Sequence, residues 1–412
     1  MNISIPITSC RLCECQNIIE ILTLAPTPAG DLYMPLERNP QDLPLFPLSL
    51  FQCQRCGHVQ LGVLVDPEYV YSEYIYTTST SLGLVEHFKS YVADTVHKLS
   101  LRPNDLIVEI GSNDGTLLKA FQGSGMRIIG VDPASAIAQK ANEAGILTIN
   151  AFFNSEIASQ IISRHGLVKL VVANNVLANV SSVKNVVLAV RELLAPDGIF
   201  VFETGYLRYL AEGCVFDNIH HEHVDYFAIK PLVGFFDSLG MKLLDVCVSE
   251  SKGSSIRCYV GLSSSPKSVS QNVFDLMDRE TKCGYQTNIP YQSLGLHLQK
   301  VKADIHRVLK PAKNRGESIV GFGAAVGSTT ILYHFELAGL IQALVDDNPR
   351  RHGLYSPGFG IPVKNTGILN SFNRPHWTVL LAWRYGKHIA EVHKEYANLG
   401  GRFLEILPEV VF

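Results

Sequence analysis

The chain has 412 residues, 47% of them hydrophobic and 18% charged, with a formal net charge of −3; this is too long for one hydrophobic core and predicts two or three globular domains. The near-balanced charge offers no basic face to a phosphate backbone, which excludes nucleic acid as an expected partner, and no apolar stretch approaches membrane-spanning length. The opening residues, MNISIPITSC, lack a basic run followed by an apolar block, so a cytoplasmic chain is expected.

The nine cysteines are an odd number crowded at one end, a pattern that suggests metal rather than disulfides. Cys10-Arg-Leu-Cys13 and Cys53-Gln-Arg-Cys56-Gly57-His58 are two C-x-x-C knuckles, each able to place two thiolates about one Zn²⁺ at tetrahedral geometry. Cys15 is the alternative to Cys13, and unliganded thiols are the plain alternative to a metal. Gly57 frees the backbone to turn its amides towards the sulfurs, and Phe51 with Val59-Gln60-Leu61 predicts a short hairpin. About forty residues part the knuckles, more than the usual ribbon spacing, so an insertion holding the Pro35 to Pro47 run is expected. Four thiolates leave no open position, so the site is expected to be structural.

Tyr69 to Tyr76 is dense in tyrosines and is followed by hydroxyls from Thr77 to Ser81, just before an expected helix over Leu84 to Leu99. Tyr76 and Ser79 are candidates to hold phosphate or sugar oxygens; a packed linker is the alternative.

From Asn104 to Thr204 strands alternate with helices: Leu106 to Ile110, Arg127 to Val131, Ile146 to Ile149, Val168 to Ala173 and Gly198 to Glu203. This predicts a parallel sheet with helices on both faces. The first strand runs into IVEIGSNDGTLL. There Glu109 ends the strand, Gly111 and Gly115 admit close backbone approach, and Thr116 opens a helix. The next strand ends in Asp132, whose carboxylate suits both hydroxyls of a ribose. A dinucleotide turn normally has a second glycine, two residues after the first, to admit a pyrophosphate. Asn113 stands there, which favours S-adenosylmethionine as the cofactor. An ordinary α/β turn is the bland alternative. The polar tail of the fourth strand, with Asn174, Asn175 and Asn179, lies where a ligand at the carboxyl edge needs donors and acceptors.

Phe216 to Phe227, FDNIHHEHVDYF, packs three histidines and three acids between apolar residues. A histidine beside a carboxylate can take a proton from carbon next to a carbonyl, as methyl transfer to carbon requires. A metal site and a satisfied structural cluster remain the other two roles for this segment.

Ser249 to Ser255 is small and polar and leads into a strand at Ile256 to Val260. Ser254, Ser255 and Arg257 suit an anionic ligand, or the segment is a surface hairpin loop. After a Ser-rich break at 263 to 271, Asp275 to Lys310 predicts one or two long helices. A final α/β domain begins at Ser318, with strands at Ile319 to Phe322, Ala343 to Asp346, Thr378 to Ala382 and Arg402 to Pro408. Its Gly321-Phe-Gly-Ala-Ala-Val-Gly327 turn, followed by Asp346 and Asp347, also fits a nicotinamide fingerprint.

Taken in order, the two C-x-x-C pairs, EYIY, VEIGSNDGTLL, ANNVLA, ETGYL, FDNIHHEHVDYF, KGSSIR and GFGAAVGSTT with VDDNP and LLAW resemble the sugar C-methyltransferases that act on nucleotide-linked 4-keto-6-deoxysugars. The likeness spans nearly the full length. It implies a zinc-binding module over 1–68 with Cys10, Cys13, Cys53 and Cys56 as ligands, and a class I methyltransferase Rossmann-like core over 69–262. It further implies a helical linker over 263–317 and a second Rossmann-like lobe without redox chemistry over 318–412. His223 is then the base at C-3 of the ketosugar, Glu222 a further active-site group, and Tyr76 a residue that places the nucleotide sugar. A monomer or weak homo-oligomer is expected. The chain departs from the family pattern in three places. His220 stands where tyrosine is common, Asn179 where a histidine is common, and Gly327 where a lysine is common. Positive charge for a diphosphate is then expected from Arg257 or Arg384. Methyl transfer to oxygen or nitrogen of another small molecule is the alternative within the same core.

Overall fold

The structure, a computed structural model, describes residues 3–71, 78, 83–249 and 255–412. Tyr76, Ser79 and Ser254 lie outside the described residues. The N-terminal module carries β1 (Ser4–Pro6), β2 (Ile18–Thr27), β3 (Phe46–Cys53), β4 (Val59–Leu61) and β5 (Val63–Val65). The expected hairpin is β3 to β4, with Phe51 opposite Gln60 and Gln52 opposite Val59. Along β3 the period of two turns Phe46, Leu48 and Leu50 inward. After α1 (Pro67–Tyr71) comes α2 (Leu84–Leu99), which buries Leu84, Phe88, Tyr91, Val92 and Thr95 at helical spacing.

The core alternates β6 (Leu106–Ile110), α3 (Thr116–Gly123), β7 (Arg127–Asp132), α4 (Ser135–Glu143), β8 (Thr148–Asn150), α5 (Ser155–His165), β9 (Val168–Asn174), α6 (Val183–Leu193) and β10 (Leu194–Gly205). It continues through α7 (Leu207–Glu212), β11 (Asp225–Tyr226), α8 (Ile229–Ser238), β12 (Met241–Ser249) and β13 (Ser255–Leu262). Its 7-stranded sheet has the order β12-β13-β10-β9-β6-β7-β8. From β10 to β8 every pairing is parallel, but β13 runs antiparallel to β10 and to β12. The sheet is therefore mixed rather than wholly parallel, because only residues 250–254 join β12 to β13 and so short a connection cannot carry a parallel crossover. Both faces are buried: Val108 and Ile110 of β6 pack into one apolar cluster, and Ile107 into another below α2 and α3. The chain order reverses between β6 and β9, which opens a crevice at their carboxyl ends.

Strand β11 leaves the core and extends the module sheet, whose order is β11-β4-β3-β2. The 263–317 stretch, expected as a helical linker, holds α9 (Gln271–Lys282) and α10 (Ile289–Asn314), both with buried faces. Glu280 of α9, fully buried, accepts hydrogen bonds from Ile229 N (2.6 Å), Lys230 N (3.0 Å) and the Tyr206 hydroxyl (2.9 Å), so it caps α8 of the core. Helix α10 joins the module to the last lobe in one apolar cluster, through Tyr291, Leu294, Leu298, Val301 and Ile305. That lobe comprises β14 (Ile319–Phe322), α11 (Val326–His334), β15 (Ala343–Asp346), β16 (Val363–Asn365), β17 (Trp377–Leu380), α12 (Gly386–Val392), α13 (Lys394–Asn398) and β18 (Arg402–Glu405). Its 5-stranded sheet, β16-β15-β14-β17-β18, is parallel throughout. Strand β16 is too short and polar to have stood out in the sequence. Among the described residues no helix is long and apolar enough to cross a membrane.

Candidate active site and thiolate cluster

The two knuckles bring Cys10, Cys13, Cys53 and Cys56 together, with all four Sγ within 4.8 Å of one another. Cys10 and Cys56 stand 3.6 Å apart and Cys13 and Cys53 3.5 Å apart, close to the ~3.8 Å edge of a tetrahedron with Zn–S bonds of about 2.3 Å. Cys15 is not in the cluster. The hydrogen bond between Cys10 and Cys56 lowers Cys10 to about 4 and raises Cys56, and burial pushes the Cys53 thiol up to about 11, a crowding of sulfurs whose negative charge a bound cation would relieve. The residues fit zinc held by four sulfurs, with no position left for a substrate.

The crevice between β6 and β9 is a cavity of about 460 Å³, within the range of small-ligand sites. Glu109, Gly111, Asn113, Asp132, Asn175 and Asn179 all line it. Gly111 has φ +69°, and a Cβ there would meet Val176 Cγ2 at 2.4 Å, so only glycine lets the turn close over the strand end. Asn113, also left-handed at φ +49°, directs its N–H to Asp132 Oδ2 at 2.8 Å, while Ala134 N bonds Oδ1 at 2.9 Å. Each oxygen keeps a second lone-pair direction, as two ribose hydroxyls require. Glu109 Oε2 is buried with no protein partner among the described residues. Burial, then the charges of Asp132 and Asp114, hold the Glu109 carboxyl well above its ordinary range. Phe152 and Phe153 add the apolar surface a purine needs. An orphaned acceptor, a seated aspartate and aromatic walls fit S-adenosylmethionine.

Gly115 does not line this cavity. Its φ of +74° is left-handed, and a Cβ there would lie 3.0 Å from Ile146 Cγ2, so the turn and its packing call for glycine there. Arg257 is likewise not aimed at a ligand. It pairs with Glu203 at 3.0 Å and lies 4.0 Å over the Tyr91 ring, buried between β13 and α2. A guanidinium committed to those partners supplies no diphosphate charge. Of the cationic candidates, Arg384 bonds Asp217 Oδ2 at 3.1 Å beside the histidine segment. A side chain at Gly327 would begin 3.1 Å from the same Asp217 oxygen, so Arg384 answers the charge that a residue at 327 would otherwise face.

No histidine of the segment lines the cavity itself. The segment is fastened to the cavity rim, where Val224 N and Asp225 N bond Ala178 O at 2.7 and 3.3 Å, next to Asn179. The second lobe holds its other end, with Thr330 Oγ1 donating to Ile219 O at 2.9 Å. His223 donates its Nδ1 hydrogen to Asn218 O at 3.1 Å, which leaves the ring's lone pair on Nε2. Burial, then the charge of His223, hold His220 well below the usual imidazole range. Glu222 turns from the core towards the N-terminal module: its Oε1 lies 3.4 Å from where a Gly30 Cβ would stand. Burial, with the charge of Asp31, pushes it up to about 8.

The sequence offered no sign of Arg11, His58 and Asp225 acting together. His58 Nε2 lies 2.8 Å from Asp225 Oδ1, and Arg11 Nε 2.9 Å from Oδ2, with His58 and Asp225 buried and Arg11 half-buried. The second lobe repeats the acid-to-turn geometry of the first, as Asp346 accepts Ala324 N at 2.6 Å and Asn348 N at 2.8 Å.

Residues 84–246 match a family model described as methyltransferase domain, and 250–408 one described as C-methyltransferase C-terminal domain. A zinc binding domain model matches residues 10–71. The chain is 31% identical to the C-methyltransferase NovU of Streptomyces niveus over 405 residues, 98% of this chain and 96% of that protein. Among solved structures, magnesium protoporphyrin IX methyltransferase from Synechocystis PCC 6803, with bound SAM, is 13% identical, at a TM-score of 0.33 over 44% of this chain and 80% of that chain. The PH0226 protein of Pyrococcus horikoshii OT3 is 13% identical, at a TM-score of 0.37 over 47% of this chain and 98% of that one.

Proposed function

This chain belongs to the S-adenosylmethionine-dependent C-methyltransferases and carries a zinc-binding domain, and from that premise we propose that it methylates carbon C-3 of a nucleotide-linked 4-keto-6-deoxysugar. Glu109, Gly111, Asn113, Asp132 and Asn175 hold the methyl donor, and S-adenosylmethionine supplies an electrophilic methyl group already activated on its sulfonium. Asp132 takes the ribose hydroxyls, and the Gly111 turn lets the backbone lie against the ligand.

His223 is the base. A proton on carbon beside a ketone is acidic enough for imidazole, because the charge left behind spreads onto the carbonyl oxygen. Nε2 of His223 takes that proton, and the enolate carbon would then displace the donor's sulfur from the methyl group, the C–C bond forming as the C–S bond breaks and S-adenosylhomocysteine leaves as a neutral thioether. His220, kept uncharged by burial, does not oppose the positive charge that His223 acquires. His220 and Asn179 stand at the substrate side, where they set which sugar fits. Glu222 acts through the placing of the segment, since its carboxylate faces the N-terminal module. Tyr76, Ser79 and Ser254 are assigned to the nucleotide sugar on the family resemblance.

The observation that most supports this reading is the hydrogen bond from His223 Nδ1 to Asn218 O, on a segment tied to the rim of the donor cavity. It is tested by a panel of nucleotide 4-ketosugars incubated in D₂O with methyl-labelled S-adenosylmethionine, the product being located by NMR. Label on C-3 and solvent exchange at that carbon are expected. Label on oxygen or nitrogen, with no exchange, would overturn it.

A further inference from the structure

We infer that Arg11, set between two of the clustered cysteines, is a positioning residue that holds one wall of the methyl-donor cavity from behind and so couples the thiolate knuckle to donor binding. The inference rests on the cavity being the donor site, as proposed above.

The main chain of Arg11 is anchored first. Its N–H donates to Gln60 Oε1 at 2.8 Å, and Gln60, fully buried on β4, donates back to Ser9 O at 3.0 Å. From that fixed point the side chain makes four bonds. Nε lies 3.1 and 2.9 Å from the two oxygens of Asp225, Nη1 donates to Ser181 O at 3.0 Å, and Nη2 to Val180 O at 2.6 Å. Val180 and Ser181, with Asn179, are among the residues that line the cavity. Asp225 lies two residues past His223, and its carboxylate also bonds His58, two residues after Cys56. One guanidinium therefore joins a knuckle, the cavity wall and the end of the histidine segment.

A fork of this shape needs arginine. Lysine offers a single nitrogen, which can keep the Asp225 pair but cannot also span two successive carbonyls. Without the fork, Val180 and Ser181 lose the donors that fix their peptide planes, and the wall relaxes. The module has another tie to the same region, the exposed Lys184–Glu14 pair at 2.6 Å, neither partner of which lines the cavity. It supplies a control for docking of the module as such.

The experiment is calorimetric titration of the zinc-loaded, full-length protein with S-adenosylhomocysteine. R11M is expected to keep its metal and bind about tenfold more weakly, R11K to show most of the same loss, and K184M to match the wild type. Coupling free energy is reciprocal, so saturating S-adenosylhomocysteine should also raise the zinc affinity of the wild type, measured by competition with a chelator, and not that of R11M. A folded, zinc-loaded R11M with wild-type affinity overturns the inference while leaving the donor site standing. A wild type that fails to bind S-adenosylhomocysteine removes both. Should R11M not fold, R11K decides alone: wild-type affinity in that variant overturns the inference.

Discussion

The ring of His220 lies 4.0 Å, centre to centre, from the ring of His223. Two imidazoles this close cannot both carry a charge cheaply, and burial leaves His220 the uncharged one. In the mechanism proposed above, proton transfer then falls to His223. His223→Asn is expected to lower turnover by about 10²–10⁴-fold, the usual contribution of a general base, while S-adenosylhomocysteine affinity stays within a few-fold. His220→Phe keeps the stack without the nitrogens and should retain exchange of the substrate proton with D₂O, which His223→Asn should lose. Exchange surviving in His223→Asn would remove the base assignment.

The two lobes offer look-alike aspartates, and only the first is assigned to the donor. Asp132→Ala removes acceptors for two ribose hydroxyls and should weaken S-adenosylhomocysteine by roughly 10- to 100-fold, the scale of hydrogen bonds to a charged group. Asp346→Ala, in the second lobe, should leave that affinity unchanged. Calorimetry on both variants checks the assignment, and the reverse pattern would move the donor to the other lobe.

Glu222 links stability to pH. Its folded carboxyl is pushed up to about 8 from an ordinary 4.5, by burial and then by Asp31. The folded chain thus holds this proton more tightly than the unfolded one. The resulting stability is complete below pH about 4.5 and is lost as pH rises through about 8. Glu222→Gln keeps the shape without the titration, so its melting temperature should gain on the wild type between pH 6 and 9. Parallel curves across that range would contradict the assignment.

Glu280 shows what a local view of the sequence misses. Its neighbours on α9 look like an exposed connecting helix, yet its carboxylate takes three donors from other elements, two of them in fully buried bonds. Glu280→Ala orphans all three and should cost about 3–5 kcal/mol, read as a lower urea midpoint, with Glu280→Gln intermediate.

The same contrast runs through the molecule. The C-x-x-C knuckles, the Glu109-to-Gly115 turn and Asp132 were legible because each is a local pattern whose spacing already dictates its chemistry. The histidine segment was legible as a cluster. Its placement was not, since that depends on Ala178, Thr330 and β4, far away in sequence. Arg11 and Asp225 are 214 positions apart, and nothing in either knuckle announces the pair. Arg257 misled for a related reason: an arginine at the start of a strand, beside loop serines, suits an anion, but strand pairing sets it opposite Glu203.

The module and the histidine segment share one sheet, which gives the thiolate cluster a measurable reach. Cys53 closes β3, and the Gly57 turn, whose N–H bonds Cys53 O at 2.9 Å, delivers the chain into β4. Strand β4 carries β11, with Gln60 opposite Asp225, and Leu61 N bonds Val224 O at 2.8 Å. Cys53→Ser removes one of four ligands, so metal content should fall and the knuckle should lose the cation that lets its sulfurs crowd together. The melting temperature and soluble yield should drop with it. Amide exchange should then rise in β4 and β11 together, although β11 lies outside the module in sequence. A soluble Cys53→Ser protein with unchanged exchange in both strands would show that the sheet stands without its metal, and that the thiolates do not support the histidine segment.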